Sequence, residues 1–174
     1  GDMTAAKAFL MGASSSTKGF VIGGSTSSNL SDSVNTIETI TFSTTGDGTD
    51  FADLTAVGRS GSANASSHAA VQNEDYFAPA SIGLYAGGTE PINSANQTLV
   101  AYLNIDTDGQ AAMFGDLSAI RTNMFSGGMA SSTRAVFGGG GIGPSPYYVD
   151  IIDFFTFSTK GKATDFGNTT VARQ

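Results

Sequence analysis

The chain's one histidine, His68, is the first residue whose chemistry must be considered. It lies in a long insertion, 68–78, together with Glu74, Asp75 and Tyr76. An imidazole beside carboxylates could form a charge-relay pair or hold a metal ion, but either site would have to be built around this single histidine. The chain contains no cysteine, nucleophile-elbow motif, phosphate loop or zinc-protease motif. We therefore expect no catalytic residue, and a hydrolase or lyase using this loop is the least favoured alternative.

The run Asp106-Thr107-Asp108-Gly109 is the second candidate, because it resembles the start of a calcium-binding loop. The last ligand of such a loop is a glutamate at its twelfth position, which here is Leu117. The corresponding turns elsewhere in the chain lack both carboxylates. We interpret this run as a turn between strands, and we expect neither a metal site nor a cofactor.

The charge of the chain excludes two classes of partner. Acidic residues outnumber basic residues 15 to 8, which gives a net charge of −7. The field of such a molecule repels polyanions, and the basic residues are scattered along the chain instead of clustered. The uncharged run 135–149 is rich in Gly and Pro, and it is shorter than the roughly 20 apolar residues that a membrane helix needs. We expect no nucleic-acid partner and no membrane insertion.

The elements that would position a site come from a repeat found three times. In each copy a short apolar run ends in a Gly-Gly doublet, a phenylalanine lies five residues beyond a turn glycine, and an arginine closes the unit. The doublets are Gly23/Gly24, Gly87/Gly88 and Gly138/Gly139, the phenylalanines are Phe51, Phe114 and Phe166, and the arginines are Arg59, Arg121 and Arg173. Between these landmarks, β-branched and aromatic segments alternate with glycine-containing turns. Each repeat therefore predicts four antiparallel strands, and no segment predicts a helix.

This pattern resembles the kelch repeat of β-propellers, in which about fifty residues form one four-stranded blade. The resemblance implies one all-β domain with blades at about 4–58, 59–121 and 122–174. It implies that the phenylalanines form core between blades and that the arginines donate to backbone carbonyls of neighbouring blades. Phenylalanine replaces the usual tryptophan of kelch repeats. The repeats also resemble those of phage-associated and marine metagenomic proteins, which favours a virion or extracellular location.

Three blades do not close a propeller, because propellers typically have four to eight. The first and last blades would leave apolar flanks uncovered. The landmarks predict that the chain begins with the first strand of one blade and ends after the fourth strand of another. We therefore expect a homodimer, in which two chains related by a twofold axis complete a six-bladed ring. The alternatives are a threefold β-trefoil or β-prism, and a longer protein of which these repeats are a piece.

The loops between the second and third strands are the part of the repeat that varies, at 25–33, 89–96 and 140–147. Repeat-specific loops often form the binding face of a repeat protein. Their amide and aromatic groups suit hydrogen bonding and stacking on a neutral sugar, and the candidate ligand-binding residues are Asn29, Asn93, Asn96, Tyr147 and Tyr148. The sequence thus predicts a non-enzymatic interaction module for a glycan or a surface protein. A self-assembling structural module without a ligand is the competing alternative.

Overall fold

A computed structural model describes residues 1–27, 32–65, 82–90, 95–105, 109–124, 128–142 and 147–173. Within these residues the chain is all-β, as predicted, and none of them is helical. No helix in the described ranges could therefore cross a membrane. The strands are β1 Met11–Ser14, β2 Lys18–Ile22, β3 Thr36–Thr41, β4 Thr49–Asp53, β5 Ser62–Ala65, β6 Ile82–Ala86, β7 Thr89–Glu90, β8 Ala95–Asn104, β9 Ala112–Arg121, β10 Gly128–Ala130, β11 Arg134–Gly138, β12 Ile151–Thr156 and β13 Thr164–Asn168.

The strands form three antiparallel sheets, one for each repeat. Sheet 1 has the order β1-β2-β3-β4, and sheet 3 has the order β10-β11-β12-β13. In sheet 2 the four main strands follow the order β5-β6-β8-β9. The two-residue β7 also pairs with β8. The prediction of four antiparallel strands in each repeat is confirmed, with β7 as an addition.

The first strand of each sheet lies innermost. β5 contacts both β1 and β10, so the three sheets meet along these strands. Their sequences are Met-Gly-Ala-Ser, Ser-Ala-Asn-Ala and Gly-Met-Ala. Small side chains allow backbones to approach closely, which explains why these strands are poor in large residues. Glycine, alanine and serine make up 8 of the 11 residues of these three strands.

Two separate apolar cores hold the sheets together, which we call junction 1–2 and junction 2–3 after the sheets that they join. At junction 1–2 the rings of Phe20 and Phe51 meet edge to face, with centroids 5.1 Å apart. Both of these rings belong to sheet 1, whereas at junction 2–3 Phe114 of sheet 2 meets Phe155 of sheet 3 edge to face at 5.8 Å. Each sheet thus packs on its neighbour in sequence. This serial arrangement differs from the alternative of a β-trefoil or β-prism, in which three units surround one core.

The glycine doublets mark the end of the second strand in each sheet. Gly23 and Gly24 have φ of 59° and 101°, and Gly87 and Gly88 have 64° and 103°. In sheet 3 the residues with these angles are Gly139 and Gly140, at 65° and 114°, whereas Gly138 belongs to β11. The predicted doublet Gly138/Gly139 is therefore wrong by one residue, because a run of four glycines conceals which two adopt the left-handed conformation.

A backbone hydrogen bond aligns the three repeats. The N–H of the second glycine donates to the carbonyl of Gly58 in sheet 1, of Arg121 in sheet 2 and of Arg173 in sheet 3. These three residues are therefore structurally equivalent. Arg59 lies one position after Gly58. It forms an isolated β-bridge with Thr89, and the equivalent bridge in the next repeat joins Thr122 to Gly141. The predicted equivalence of Arg59 with the other two arginines is wrong by one residue.

Candidate functional site

A buried ion pair lies at the centre of junction 2–3. The side chains of Arg121 and Asp153 are both fully buried and form a salt bridge. Arg121 Nη1 also donates to the carbonyls of Gly139 and Ile151, each at 3.1 Å, which confirms the predicted structural role of this arginine. Ser118 donates to Asp153 Oδ2 from its backbone N at 3.0 Å and from its Oγ at 2.9 Å. Burial lowers the pKa of Arg121, and the negative charge of Asp153 partly offsets this shift.

A second ion pair of the same design lies on the outer side of sheet 1. Lys7 Nζ forms a salt bridge with Glu38, and both side chains are only 2% exposed. Thr4 donates to Glu38 from its backbone N at 2.9 Å and from its Oγ1 at 2.6 Å, just as Ser118 donates to Asp153. Burial works to raise the pKa of Glu38, but the hydrogen bonds from Lys7 and Thr4 outweigh it, so the pKa lies below its ordinary value.

The segment that carries Lys7, residues 2–7, is named the strap here. Its sequence, Asp-Met-Thr-Ala-Ala-Lys, is similar to residues 116–121, Asp-Leu-Ser-Ala-Ile-Arg, which form the second part of β9, the last strand of sheet 2. Its carbonyl contacts match as well, because Asp2 O accepts from Gly48 N and Asp116 O accepts from Ala163 N, both at 2.8 Å. The strap therefore contacts sheet 1 as the end of a preceding sheet would.

Junction 1–2 has no ion pair at the equivalent place. Gly58 stands where Arg121 stands, and Ala101 stands where Asp153 stands. Tyr85 fills the space, and its hydroxyl lies 2.4 Å from where a Cβ on Gly58 would be. Burial raises the pKa of this tyrosine above its ordinary range. A cavity of about 90 Å³ remains at this junction, lined by the side of Tyr85, by Leu99 and by residues 55–57.

The outer face of sheet 3 carries a packing surface that no described element covers. Its residues are Val136, Ile152, Phe154 and Phe166, equivalent by register to Phe20, Ile37, Thr39 and Phe51 of sheet 1. Phe51 and Phe114 are 8% and 3% exposed, whereas Phe166 is 58% exposed. The prediction that these phenylalanines form core is confirmed for Phe51 and Phe114. In the single chain Phe166 is not core, because within the described residues no fourth sheet packs there.

The outer face of sheet 1 shows the complementary case. Ile40 and Phe42 are 42% and 55% exposed. Their equivalents in sheet 2, Leu103 and Ile105, are buried, and so are those in sheet 3, Phe155 and Phe157. The side of sheet 1 that would receive a preceding sheet is therefore apolar and open beyond the strap.

Of the five predicted ligand-binding residues, the structure describes the side chains of two, Tyr147 and Tyr148. Tyr147 and Tyr148 are exposed beside each other, and Tyr148 pairs with Gly141. Asn96 lies in β8 opposite Thr89, so this part of the predicted loop is strand. Asn29 and Asn93 lie outside the described residues, and the side chain of Asn96 is likewise not described. A shared ligand site for the five residues stays a prediction.

The two chemical candidates from the sequence, His68 and the run 106–108, also lie outside the described residues. In the part of the chain that the structure covers, no group of three or more His, Cys, Asp or Glu is placed to hold a metal ion. Sequence reasoning missed the Lys7–Glu38 pair. The similarity of residues 1–4, Gly-Asp-Met-Thr, to residues 115–118, Gly-Asp-Leu-Ser, was the signal that could have revealed it.

Comparison with known proteins identifies a fold but no family. No protein-family model and no curated protein matches the chain. Chains of solved structures do match, 117 in number. One of them is the structure of YjhT, with a TM-score of 0.65, 14% sequence identity and coverage of 94% of this chain and 46% of YjhT. The three-sheet arrangement therefore spans a little under half of a longer solved protein, and at this identity the likeness concerns the fold alone.

Proposed function

We propose that this chain is a non-enzymatic, propeller-type interaction module that a second copy completes to a six-bladed ring. One observation carries the proposal. The exposed apolar residues on the two outer faces are the structural equivalents of residues that are buried at both internal junctions. Three sheets from each of two copies would bring the number of blades into the range of closed propellers.

The two outer faces correspond to the two sides of an internal junction. At junction 2–3, Phe114 of one sheet packs on Phe155 of the next. On the outer faces, Phe166 occupies the place of Phe114, and Ile40 occupies the place of Phe155. The outer face of sheet 3 can therefore meet the outer face of sheet 1 of a second copy as one sheet meets the next within the chain. Such a head-to-tail contact closes into a ring when the rotation between copies allows it.

The energetic reason for association is the burial of these side chains. Removing a side chain such as Phe or Ile from water contributes about 1.5–3 kcal/mol. A twofold ring has two identical contacts, so both outer faces of each copy are buried. The match to YjhT supports the proposal, since a solved protein contains this arrangement together with about as much further chain.

The first experiment measures the mass of the protein in solution over a range of concentrations. We expect a dimer that Phe166→Asp converts to a monomer, because an unpaired carboxylate would be buried in the contact. Met113→Asp is the matched control, since Met113 is 56% exposed but lies on neither outer face. If the natural chain and a chain with Thr4→Ala and Lys7→Ala both stay monomeric at every concentration, the proposal is contradicted. An open series of higher oligomers contradicts ring closure.

Cysteine crosslinking tests the geometry independently, because the chain has no cysteine of its own. Mixing Phe166→Cys chains with Ile40→Cys chains is expected to give a disulfide-linked dimer under mild oxidation. Mixing Met113→Cys chains with Ile40→Cys chains is expected to give little. Equal yields from both mixtures would show that the outer faces do not meet in the proposed way.

A second candidate function concerns the loop between β11 and β12. Tyr147 and Tyr148 are 63% and 43% exposed, and exposed tyrosines are common anchors for sugars and proteins. We propose that they contact a glycan or a surface protein, and ring completion would present the pair twice. Binding on a glycan array and a protein panel that Tyr148→Ala abolishes supports this function. An array and a panel without any bound partner would instead favour a purely structural module.

A further inference from the structure

We infer that the strap and residues 168–173 of a second copy compete for one site on sheet 1, centred on Glu38. Ring completion then requires the strap to leave that site. The inference rests on the proposed function, since it identifies what the second copy has to displace. It assigns to residues 2–7 the role of an internal occupant that opposes association.

Three segments of the chain share one design. Residues 2–7, 116–121 and 168–173 each follow a glycine, Gly1, Gly115 or Gly167, and each ends in a cation, Lys7, Arg121 or Arg173. The first two segments occupy the same place on sheet 1 and on sheet 3, as their matching contacts with Glu38 and Asp153 show. The third segment has no described sheet beside it.

Arg173 is the cation that a second copy would bring. Its carbonyl accepts from Gly140 at 2.8 Å, so its backbone is held as that of Arg121 is held by Gly88. Its side chain is exposed, and Nε donates only to Val171 O of its own segment among the contacts described. Docking as at junction 2–3 would place this guanidinium at Glu38. An arginine there could donate to the carboxylate and to backbone carbonyls together, which the smaller ammonium of Lys7 does less completely.

Only one segment can occupy this site, because the backbone of sheet 1 lies close to the backbone of the segment bound there. A Cβ on Gly1 would lie 1.7 Å from the carbonyl oxygen of Gly46, and a Cβ on Gly115 would lie 1.7 Å from that of Gly161. At both places the turn before the last strand of one sheet presses on the backbone of the segment. Gly167 occupies the third equivalent position with open space around its Cα. Docking of a second copy would bring Gly46 to Gly167, where Gly1 now lies.

Amide hydrogen exchange of the intact chain tests the competition directly. The Thr4 amide is protected by its bond to Glu38, and the equivalent Ser118 amide by its bond to Asp153. As the concentration rises and the dimer forms, we expect exchange at Thr4 to accelerate by about tenfold or more, since the strap is released. The Ser118 amide is the internal control and should not change. A dimer in which Thr4 stays fully protected overturns the inference and leaves the proposed function standing.

A strap variant covers the case in which the natural chain stays monomeric. Thr4→Ala combined with Lys7→Ala weakens the strap, and we expect it to tighten self-association by about tenfold, because the competitor is removed. Thr55→Ala with Lys162→Ala removes the same residue types from exposed positions and serves as the matched control. Association of the strap variant that Arg173→Glu then abolishes supports the inference. If neither chain associates, the proposed function and the inference both fail.

Discussion

The two internal junctions solve the same packing problem with different chemistry. Junction 2–3 buries the charges of Arg121 and Asp153, whereas junction 1–2 places Gly58 and Ala101 at these positions and fills the space with Tyr85. In both, buried apolar side chains from two sheets surround this centre. The apolar frame is therefore the constant part of a junction, and its polar centre can be exchanged.

The difference between the junctions bears on which faces can meet. A buried ion pair adds little net stability over apolar packing, but a buried charge without its partner is costly. An end that carries Arg121 could not dock on sheet 2, where Ala101 offers no carboxylate. Because Glu38 and Arg173 belong to the charged type, the contact between copies would follow the design of junction 2–3. The charges would thus exclude wrong pairings of similar apolar faces.

Breaking the ion pair should have the largest effect. Asp153→Ala leaves the Arg121 charge buried and alone, and we expect the free energy of unfolding to fall by about 3–5 kcal/mol. Converting the centre to the other design, with Arg121→Gly, Phe137→Tyr and Asp153→Ala together, should restore most of this loss. Urea unfolding measures both. A triple variant no more stable than Asp153→Ala would show that the two designs are not interchangeable.

Truncation of equivalent phenylalanines separates a covered face from an open one. Phe114→Ala should reduce the free energy of unfolding by about 3–5 kcal/mol, because it leaves a cavity at junction 2–3. Phe166→Ala at low protein concentration should change it by no more than about 0.5 kcal/mol, since the ring is exposed. At concentrations where the dimer forms, Phe166→Ala should weaken association by about as much as Phe114→Ala weakens folding. Equal losses in the monomer would contradict this distinction.

Gly58 offers a smaller test of the tyrosine-filled centre. A Cβ at this position meets the hydroxyl of Tyr85, so Gly58→Ala should cost about 1–3 kcal/mol through overpacking. Tyr85→Phe should relieve most of that cost when the two changes are combined. A double-mutant cycle measures the coupling between them. Strictly additive effects would indicate that the clash is not the cause.

The smallest of these effects is expected from acid, which should weaken the binding of the strap to sheet 1. Because the folded-state pKa of Glu38 lies below its ordinary value of 4.5, the unfolded chain binds this proton first as the pH falls. The contribution of Glu38 to stability is therefore complete above about pH 4.5 and is lost as the pH falls through the folded-state pKa. We expect the Thr4 amide, after correction for intrinsic exchange, to lose protection as the pH falls below about 4.5. Glu38→Gln should remove this dependence.

The sequence predicted the architecture because the repeat landmarks are local. Turn glycines and β-branched segments placed four strands in every repeat, and the fixed position of Phe51 and Phe114 indicated core. The fate of Phe166 could not be predicted in the same way, because burial depends on a neighbour and not on the residue itself. The register of Gly139 and Gly140 depends on backbone angles that four consecutive glycines leave undetermined.

The candidate site was less predictable than the fold. The predicted first blade begins at about residue 4, within the strap, whereas β1 begins only at Met11. Glu38 and Asp153 attracted no attention because a single acid within a strand gives no spacing signal. Their role emerges only when the partners from distant segments, Lys7 and Arg121, are seen against them. The predicted loop residues remain partly outside the described structure, so the sequence prediction there is still open.

The serial packing of the sheets has a consequence for how the molecule unfolds. Sheet 2 contributes to both cores, whereas sheets 1 and 3 contribute to one each. In an array held by nearest-neighbour contacts, a terminal unit can detach at the cost of a single interface, but loss of the central unit breaks two. Opening should therefore proceed from the ends inward, with β6 and β8 the last strands to exchange their amides. A closed ring would abolish this hierarchy, because a ring has no ends.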